Sequence, residues 1–324
     1  MQLHLDGDAA SGRRSTKIFA ALILLVFPVL VGCVLCEGAM HIMPGYRHAP
    51  SEMMANAIAR SALAVWRNAE ITASDGSRLS AWLMEPKASN GGAVILLHGI
   101  GDTRSGSTSH AEYLLQSGYT VLLPDSRDHG VSGGGLVTYG VQERDDVHRW
   151  ADWLFRTEHP RRLYGLGESL GGSILLQALT VEPRFLAVIA ECPYSTFRKI
   201  AYERVGRSFG MSAGVAPWLL WPVVEPAFLY ARLRYGVNLN DASPEKAMGH
   251  TKVPILLVHG SADNATDPEN SRCLRALNPD HVSLWEVPGA GHVGRLEPVL
   301  RSSGSAYWPG LAPTARFDQW QSKL

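Results

Sequence analysis

The sequence predicts an α/β domain with a mostly parallel central sheet and helices on both of its faces. From residue 93 onward, short apolar segments rich in Val, Leu and Ile alternate with longer segments of helical pattern. This alternation is typical of parallel strands joined by helices. A chain of 324 residues is long enough for one large domain of this class with further segments attached to it.

The sheet is predicted to begin with an antiparallel hairpin, because segments 66–74 and 78–84 are joined by the turn sequence Ser-Asp-Gly-Ser. Residues 142–158 carry apolar side chains on one helical face and charges on the other, which predicts a helix covering the sheet. The other predicted strands are 93–97, 119–123, 161–166, one that ends near Cys192, 253–258 and 282–287.

One of four serines in the pattern G-x-S-x-G follows a predicted strand. Ser169 stands between the apolar segment 161–166 and an apolar helical segment, 172–179. A sharp strand-to-helix turn holds a serine hydroxyl clear of the sheet, and flanking glycines let strand and helix approach closely. Ser169 is therefore the candidate nucleophile. The other three are interpreted as turn or loop residues; they are Ser132, Ser208 and Ser212.

A nucleophilic serine needs a general base and a carboxylate that orients the base. Asp263 follows the strand at 253–258, and His292 follows the last predicted strand in a glycine-rich loop. We expect Asp263 to be the acid, with Asp267 as the alternative, although Asp267 is better placed to cap the next helix. His292 is the candidate base. Three further histidines in His-Gly turns are expected to bond their own loops; they are His98, His129 and His259.

In these motifs the chain from about residue 70 to 300 resembles the α/β-hydrolase superfamily, most closely its branch of lipases, esterases and serine aminopeptidases. The resemblance rests on Gly-Glu-Ser169-Leu-Gly, on His98-Gly-Ile-Gly after a strand, and on the order Ser169, Asp263, His292. Segment 125–132 is similar to the family's D-x-R-G-H-G-x-S, with Asp128 where glycine is common.

The resemblance implies the α/β-hydrolase fold and an oxyanion hole built from the backbone N–H groups of Leu170 and Ile100. Together with the order of the three side chains, it predicts a serine hydrolase that cleaves carboxylic esters of small or lipid-like acyl substrates. An aminopeptidase or amidase and an acyl thioesterase are alternatives, because the same three groups cleave those bonds. A catalytically silent binding module is the alternative of another class.

Residues 196–250 interrupt the alternation of strands and helices. They are rich in aromatic residues, and three prolines at 217, 222 and 226 are expected to divide them into short helices. The resemblance implies that this insertion is a helical cap. Its aromatics either line a pocket for the acyl or alcohol group or only attach the cap; the candidate binding residues are Trp218, Trp221 and Phe228.

An uncharged run from Ile18 to Cys36 follows Arg13, Arg14 and Lys17. About twenty apolar residues span the hydrocarbon core of a bilayer, and the basic flank tends to stay in the cytoplasm. The sequence therefore predicts a single-pass anchor with the catalytic domain outside the cytoplasm. The alternatives are a lipoprotein with a lipidated Cys33 and a cleaved secretory signal.

The expected organisation has four segments: 1–37 as cytoplasmic tail and anchor or signal, 38–67 as connector, 68–301 as catalytic domain with the insertion, and 302–324 as tail. The formal net charge is +0, and no cluster of basic residues suggests a nucleic-acid partner. No metal-ligand spacing and no phosphate loop are present, so neither a metal nor a cofactor is expected. Whether Cys192 and Cys273 pair is left open.

Overall fold

A single sheet of eight strands is present in the described part of this computed structural model, which comprises residues 6–43, 48–211 and 214–293. The expected tail 302–324, the end of the expected catalytic domain and Ser212 lie outside these residues. The strands are β1 Ala64–Thr72, β2 Arg78–Pro86, β3 Gly92–Leu97, β4 Thr120–Pro124, β5 Arg162–Glu168, β6 Phe185–Glu191, β7 Ile255–Gly260 and β8 Val282–Val287.

The order across the sheet is β1-β2-β4-β3-β5-β6-β7-β8. β2 pairs antiparallel with β1 and with β4, and the five remaining pairings are parallel. The predicted fold class and the antiparallel hairpin at its start are therefore confirmed. β3 is buried along its whole length, as expected for a central parallel strand that helices cover on both faces.

Helices alternate with the strands as predicted. α4 is the predicted amphipathic helix, and it buries Val147, Trp150 and Leu154. A short 3₁₀ turn covers Leu239–Asp241. The α-helices are α1 Asp6–Met40, α2 Glu52–Ser61, α3 Thr108–Gln116, α4 Glu143–Thr157, α5 Leu170–Ala178, α6 Phe197–Ser208, α7 Ala216–Tyr235, α8 Pro244–Met248 and α9 Glu269–Leu277.

The chain divides into two compact units. One comprises Met1–Ala39 and Ala201–Asn238, and it contains most of α1, the later part of α6, and α7. The other comprises Met40–Ile200 and Leu239–Leu324 and contains the sheet. The segment expected as a connector, 38–67, holds α2 and the first residues of β1.

The insertion is helical, but the expected division into short helices is wrong. α7 runs for 20 residues, and Pro222 and Pro226 lie inside it. A proline removes one backbone hydrogen bond and strains the preceding turn, at a cost of about 3 kcal/mol in an isolated helix. Contacts of α7 within its own unit stabilise the helix against this cost. Ser208, interpreted from the sequence as a loop residue, ends helix α6.

The apolar run near the N-terminus lies in one long helix. Within α1 the segment Leu22–Met40 is long and apolar enough to cross a membrane, and it is the one such helix among the described residues. Most of its large side chains are exposed, Leu24 and Leu25 by more than 70% of their surface. These features fit an anchor or a signal sequence equally well.

Close packing between β3 and α5 depends on Gly171. A Cβ atom on Gly171 would lie 2.4 Å from the carbonyl oxygen of Leu97 and 2.7 Å from that of His98. We expect Gly171→Ala to lower the free energy of unfolding by about 1–3 kcal/mol, because backbone must move to accept the methyl group. Gly249→Ala is the matched control, since its Cβ would meet nothing within 4 Å at a φ of −68°. Chemical denaturation measures both, and equal midpoints would contradict the expectation.

Candidate active site

The three predicted site residues follow three strands that end at the same edge of the sheet. Ser169 follows β5, Asp263 follows β7, and His292 follows β8. These strands run parallel within one sheet, so their carboxyl ends lie side by side. In open α/β sheets this edge is where ligands bind.

Ser169 occupies a strained turn between β5 and α5. Its backbone has a φ of 52° and a ψ of −110°, in a region that residues other than glycine rarely adopt. Its N–H donates to the carbonyl oxygen of Glu191 at 2.7 Å. Gly167 and Gly171 touch across the turn, because a Cβ on Gly167 would lie 2.5 Å from the backbone of Gly171. The turn therefore places a serine hydroxyl at the start of a helix, as the sequence predicts for a nucleophile elbow.

The structure brings Ser169, His292 and Asp263 into a chain of hydrogen bonds. Nε2 of His292 lies 3.0 Å from Oγ of Ser169, and Nδ1 of His292 lies 2.7 Å from Oδ2 of Asp263. An ionised Asp263 accepts the proton of Nδ1, which leaves Nε2 as the acceptor that faces the serine hydroxyl. This arrangement is able to withdraw a proton from Ser169.

Asp263 is held as a carboxylate. Burial would raise its pKa, but hydrogen bonds from His259, His292 and the N–H of Thr266 outweigh burial and hold the pKa well below its usual range. The N–H of Ala265 donates to the same carboxylate at 2.7 Å. Because the carboxylate is ionised, it can stabilise an imidazolium at His292.

His259 supports Asp263, a role that the sequence did not indicate. Its Nε2 lies 3.2 Å from Oδ2 of Asp263, and its Nδ1 lies 2.7 Å from Oγ of Ser271. From the sequence, His259 is assigned only to a His-Gly turn. Its contact with Asp263 depends on the conformation of the loop after β7, which the sequence does not reveal. Asp267, the alternative acid, accepts a hydrogen bond from the N–H of Glu269 at the start of α9.

The loop that carries Ile100 is fixed by two histidines. Nδ1 of His98 lies 2.7 Å from the carbonyl oxygen of Gly99, and its Nε2 accepts the N–H of Ser126. His129 likewise accepts the N–H of Gly101 at 3.2 Å. A Cβ on Gly99 would lie 3.6 Å from Cβ of Ser169, so the loop passes beside the serine.

The second expected oxyanion donor, Leu170, is the first residue of α5. The first N–H groups of a helix have no acceptor within the helix, and they carry the positive end of its dipole. The positions of Ile100 and Leu170 suit the oxyanion role expected from the resemblance, and this role stays a prediction.

The other G-x-S-x-G serines make structural contacts. Oγ of Ser132 is buried, donates to the carbonyl oxygen of Asp125 at 2.8 Å and accepts the N–H of Ser80 at 2.9 Å. Oγ of Ser208 donates to the carbonyl oxygen of Arg204 within α6. Asp128, where the family commonly has glycine, has a φ of 58°, which explains the usual glycine.

A buried cluster beside the elbow was not expected from the sequence. Nδ1 of His110, on α3, lies 2.9 Å from Oε1 of Glu168, and its Nε2 lies 3.3 Å from Oε1 of Glu191. Glu168 precedes Ser169, and the backbone carbonyl of Glu191 accepts the N–H of Ser169. The cluster therefore ties α3 to both backbone segments that hold the turn. The three residues are far apart in the chain, so no local pattern points to them.

Within residues 6–43, 48–211 and 214–293, two groups of side chains have ligand atoms close enough to hold a metal ion. In the first group, each ring nitrogen of His110 faces a different carboxylate, which is the arrangement of an imidazolium between two anions rather than of one shared metal ion. The second group contains Cys192 and the Asp263 carboxylate that faces His292. Burial raises the pKa of the Cys192 thiol, which disfavours the thiolate that a metal requires. Cys192 and Cys273 are both free thiols.

The candidate pocket aromatics lie in the unit that contains α7. Trp218 and Trp221 are 81% and 60% exposed, while Phe228 is buried within its own unit. Their expected role in binding an acyl or alcohol group stays a prediction.

We expect His110 to keep both ring protons at pH values where an ordinary histidine, with a pKa of about 6.5, is neutral. Burial lowers the pKa of His110, but the charges of Glu191 and Glu168 raise it well above its ordinary value. Histidine NMR titration measures this, with His110→Gln to assign the signal. Glu191→Gln should lower the pKa of His110, and Glu269→Gln, on the exposed face of α9, should leave it unchanged. A wild-type His110 that titrates near the ordinary value would contradict the expectation.

Known proteins share both sequence and fold with this chain. Residues 94–301 match the model of a family described as "Alpha/beta hydrolase family". The uncharacterized protein YqkD of Bacillus subtilis is 27% identical over 174 residues, which cover 53% of this chain and 55% of YqkD. The uncharacterized protein YfhR of Escherichia coli is 25% identical over 242 residues, which cover 69% of this chain and 72% of YfhR. The chain thus spans about half of YqkD.

Solved structures show the same fold at lower identity. The Pyrococcus furiosus esterase Pf2001 superimposes with a TM-score of 0.64 at 23% identity, over 84% of this chain and 97% of that one. A puromycin-hydrolyzing peptidase of Mycobacterium tuberculosis gives a TM-score of 0.60 at 18% identity, over 76% of this chain and 39% of that one. With its sheet order, its strained serine turn and the match over residues 94–301, the chain belongs to the alpha/beta hydrolase family.

Proposed function

We propose that this protein is a membrane-anchored serine hydrolase that cleaves carboxylic esters through Ser169, His292 and Asp263. The observation that carries the proposal is the pair of hydrogen bonds at His292, 3.0 Å to Oγ of Ser169 and 2.7 Å to Oδ2 of Asp263. Oγ of Ser132 and Oγ of Ser208 instead donate to backbone carbonyl oxygens, those of Asp125 and Arg204.

Acylation begins when His292 removes the proton of Ser169 and the serine oxygen attacks the ester carbonyl. Asp263 keeps the imidazole in the tautomer that accepts this proton, and its charge stabilises the imidazolium that forms. The negative oxygen of the tetrahedral intermediate is bound by the N–H groups of Leu170 and Ile100. Removing one such donor typically costs about 3 kcal/mol of transition-state stabilisation.

The imidazolium of His292 then returns its proton to the leaving alcohol, and the C–O bond of the ester breaks. Water next takes the place of the alcohol, and His292 removes one of its protons while the water oxygen attacks the acyl-enzyme. Collapse of the second tetrahedral intermediate releases the carboxylic acid and restores the proton on Ser169.

An amide bond is the alternative substrate. The fold of this chain is shared with the esterase Pf2001 and also with a puromycin-hydrolyzing peptidase. An aminopeptidase needs an acidic group that binds the free amine of its substrate. In the insertion, the carboxylate of Glu225 accepts a hydrogen bond from Tyr202 at 2.8 Å, so it is already engaged within its own unit. This engagement favours the ester.

Membrane attachment is proposed through α1. The segment Leu22–Met40 has the length and composition of a spanning helix, and basic residues precede it. We place the catalytic domain on the extracytoplasmic side, and lipidation at Cys33 is the alternative mode of attachment.

Ser169→Ala should abolish hydrolysis of a short p-nitrophenyl ester, lowering kcat by a factor on the order of 10⁴–10⁶, because the substitution removes the attacking oxygen. Ser208→Ala and Ser132→Ala are the matched controls and should keep most of the activity. Initial rates with purified protein measure the effect. An active Ser169→Ala enzyme beside an inactive control variant would overturn the assignment.

Asp263→Asn should lower kcat by about 10⁴, because an amide in place of the carboxylate favours the wrong tautomer of His292. Asp267→Asn should leave kcat nearly unchanged, since this side chain only contacts the start of α9. The same ester assay compares the two variants. A larger loss from Asp267→Asn would move the acid to that residue.

A panel of p-nitrophenyl esters of increasing chain length, acyl thioesters and aminoacyl amides tests the bond type. We expect kcat/KM to be highest for an oxygen ester. Higher values for the aminoacyl amides would replace the esterase assignment with an amidase.

A further inference from the structure

Helices α1 and α7 belong to the same compact unit and touch at two places. Gly32 of α1 lies against the backbone of Val223, since a Cβ on Gly32 would be 2.2 Å from the Val223 carbonyl oxygen. Farther along both helices, Oε1 of Glu37 accepts hydrogen bonds from the hydroxyls of Tyr230 and Tyr235 at 2.6 and 2.7 Å. Residue numbers rise together in the two helices, so α1 and α7 run parallel to each other.

The contact has features of helix pairs within membranes. A small residue lets two helix backbones approach closely. Inside a bilayer the hydrophobic effect does not drive helices together, so this close van der Waals packing stabilises the pair instead. Both helices also contain internal prolines, Pro28 in α1 and Pro222 and Pro226 in α7. Interior prolines are tolerated in membrane helices more often than in soluble ones.

α7 is apolar on its packed face and on its open face. Its buried stripe consists of Ala216, Leu220, Val224, Phe228 and Ala231. A helix that is apolar all round belongs in a protein core or in a bilayer. The opposite face is exposed to solvent in this structure; its large apolar residues are Trp218 81%, Leu219 59%, Trp221 60%, Leu229 56% and Leu233 76%.

The contacts with α1 set the depth that α7 would reach in a bilayer. Val223 of α7 is taken as level with Gly32 of α1, because the two residues touch. The distance along the helices from Ala216 to Val223, added to that from Gly32 to Cys36, where the uncharged run ends, is roughly 16 Å at 1.5 Å per residue. This length is about half of the ~30 Å hydrocarbon core. α7 would therefore begin deep in one leaflet and leave the hydrocarbon before the helix ends.

Polar residues fit this placement at both ends of α7. The end with Tyr230 and Tyr235 also carries Arg232 and Arg234, and tyrosine and arginine are typical of the membrane–water interface. At the other end, Gly206 of α6 lies against Ala216. The exposed Arg204 and Arg207 of α6 therefore need to extend their long side chains toward the headgroups.

The geometry points to α7 as a second membrane element, which inserts its Trp218–Trp221 face into the leaflet on the side of the catalytic domain, beside α1. The occupant of this exposed face is lipid. The inference rests on the proposed membrane anchoring by α1, and it does not depend on the esterase activity.

Depth-dependent quenching of tryptophan fluorescence tests the inference. Full-length protein is reconstituted in phosphatidylcholine vesicles whose acyl chains carry bromine either near the headgroup or near the chain end. Bromine near the chain end should quench wild-type emission more strongly than bromine near the headgroup, because Trp218 and Trp221 lie close to the start of α7, roughly 9–14 Å inside the hydrocarbon at 1.5 Å per residue. Trp218→Phe with Trp221→Phe should remove most of this quenching. Trp66→Phe with Trp285→Phe, on the edge strands β1 and β8, is the matched control and should retain it.

The outcomes separate this inference from the proposals on which it rests. Circular dichroism of each variant reports that it has folded. Release of the protein from vesicles by alkaline carbonate would contradict anchoring by α1. Retention on the vesicles with equal quenching in wild type and the Trp218/Trp221 variant would overturn the placement of α7 in lipid. Crosslinked dimers that shield both tryptophans from brominated lipid would assign the face to a second copy of the chain, and would likewise overturn it.

Discussion

The strained turn at Ser169 is the constraint on which the candidate site depends. A residue other than glycine with a φ of 52° costs about 1–3 kcal/mol, and it persists because its surroundings allow no other conformation. The N–H of Ser169 is bonded to Glu191 on the neighbouring strand, and contact between Gly167 and Gly171 leaves no room for a wider turn. The hydroxyl of Ser169 therefore faces the loop after β8, which carries His292.

Carboxylates near this turn interact with histidine in two different arrangements. Asp263 is surrounded by donors from histidines and backbone N–H groups, which hold its pKa well below the usual range despite burial. Glu168 and Glu191 share one imidazole: burial raises the pKa of Glu168, and His110 opposes that rise. The first arrangement provides a fixed negative charge for the proposed reaction. The second fixes the backbone on both sides of Ser169.

The elements that the sequence predicts well are those set by local patterns. The hairpin, the central strands, the helix at 143–157 and the turn at Ser169 each depend on alternation, apolar periodicity or glycine spacing within a few residues. The order of Ser169, Asp263 and His292 also indicated which side chains meet. The cluster around His110 had no such signal, because its members converge only through the order of the strands. The continuity of α7 was missed for a related reason: the sequence shows its prolines, but not the contact with α1 that stabilises a helix containing them.

Trapping the covalent intermediate tests the central claim most directly. Acid quenching during turnover of a slowly hydrolysed p-nitrophenyl ester, followed by peptide mapping with mass spectrometry, locates the acyl group. The proposed chemistry predicts a single acylated peptide, which contains Ser169, with the mass of the acyl group added. An acyl group on any other residue, or sustained ester hydrolysis with Ser169 unmodified at every time point, would contradict it.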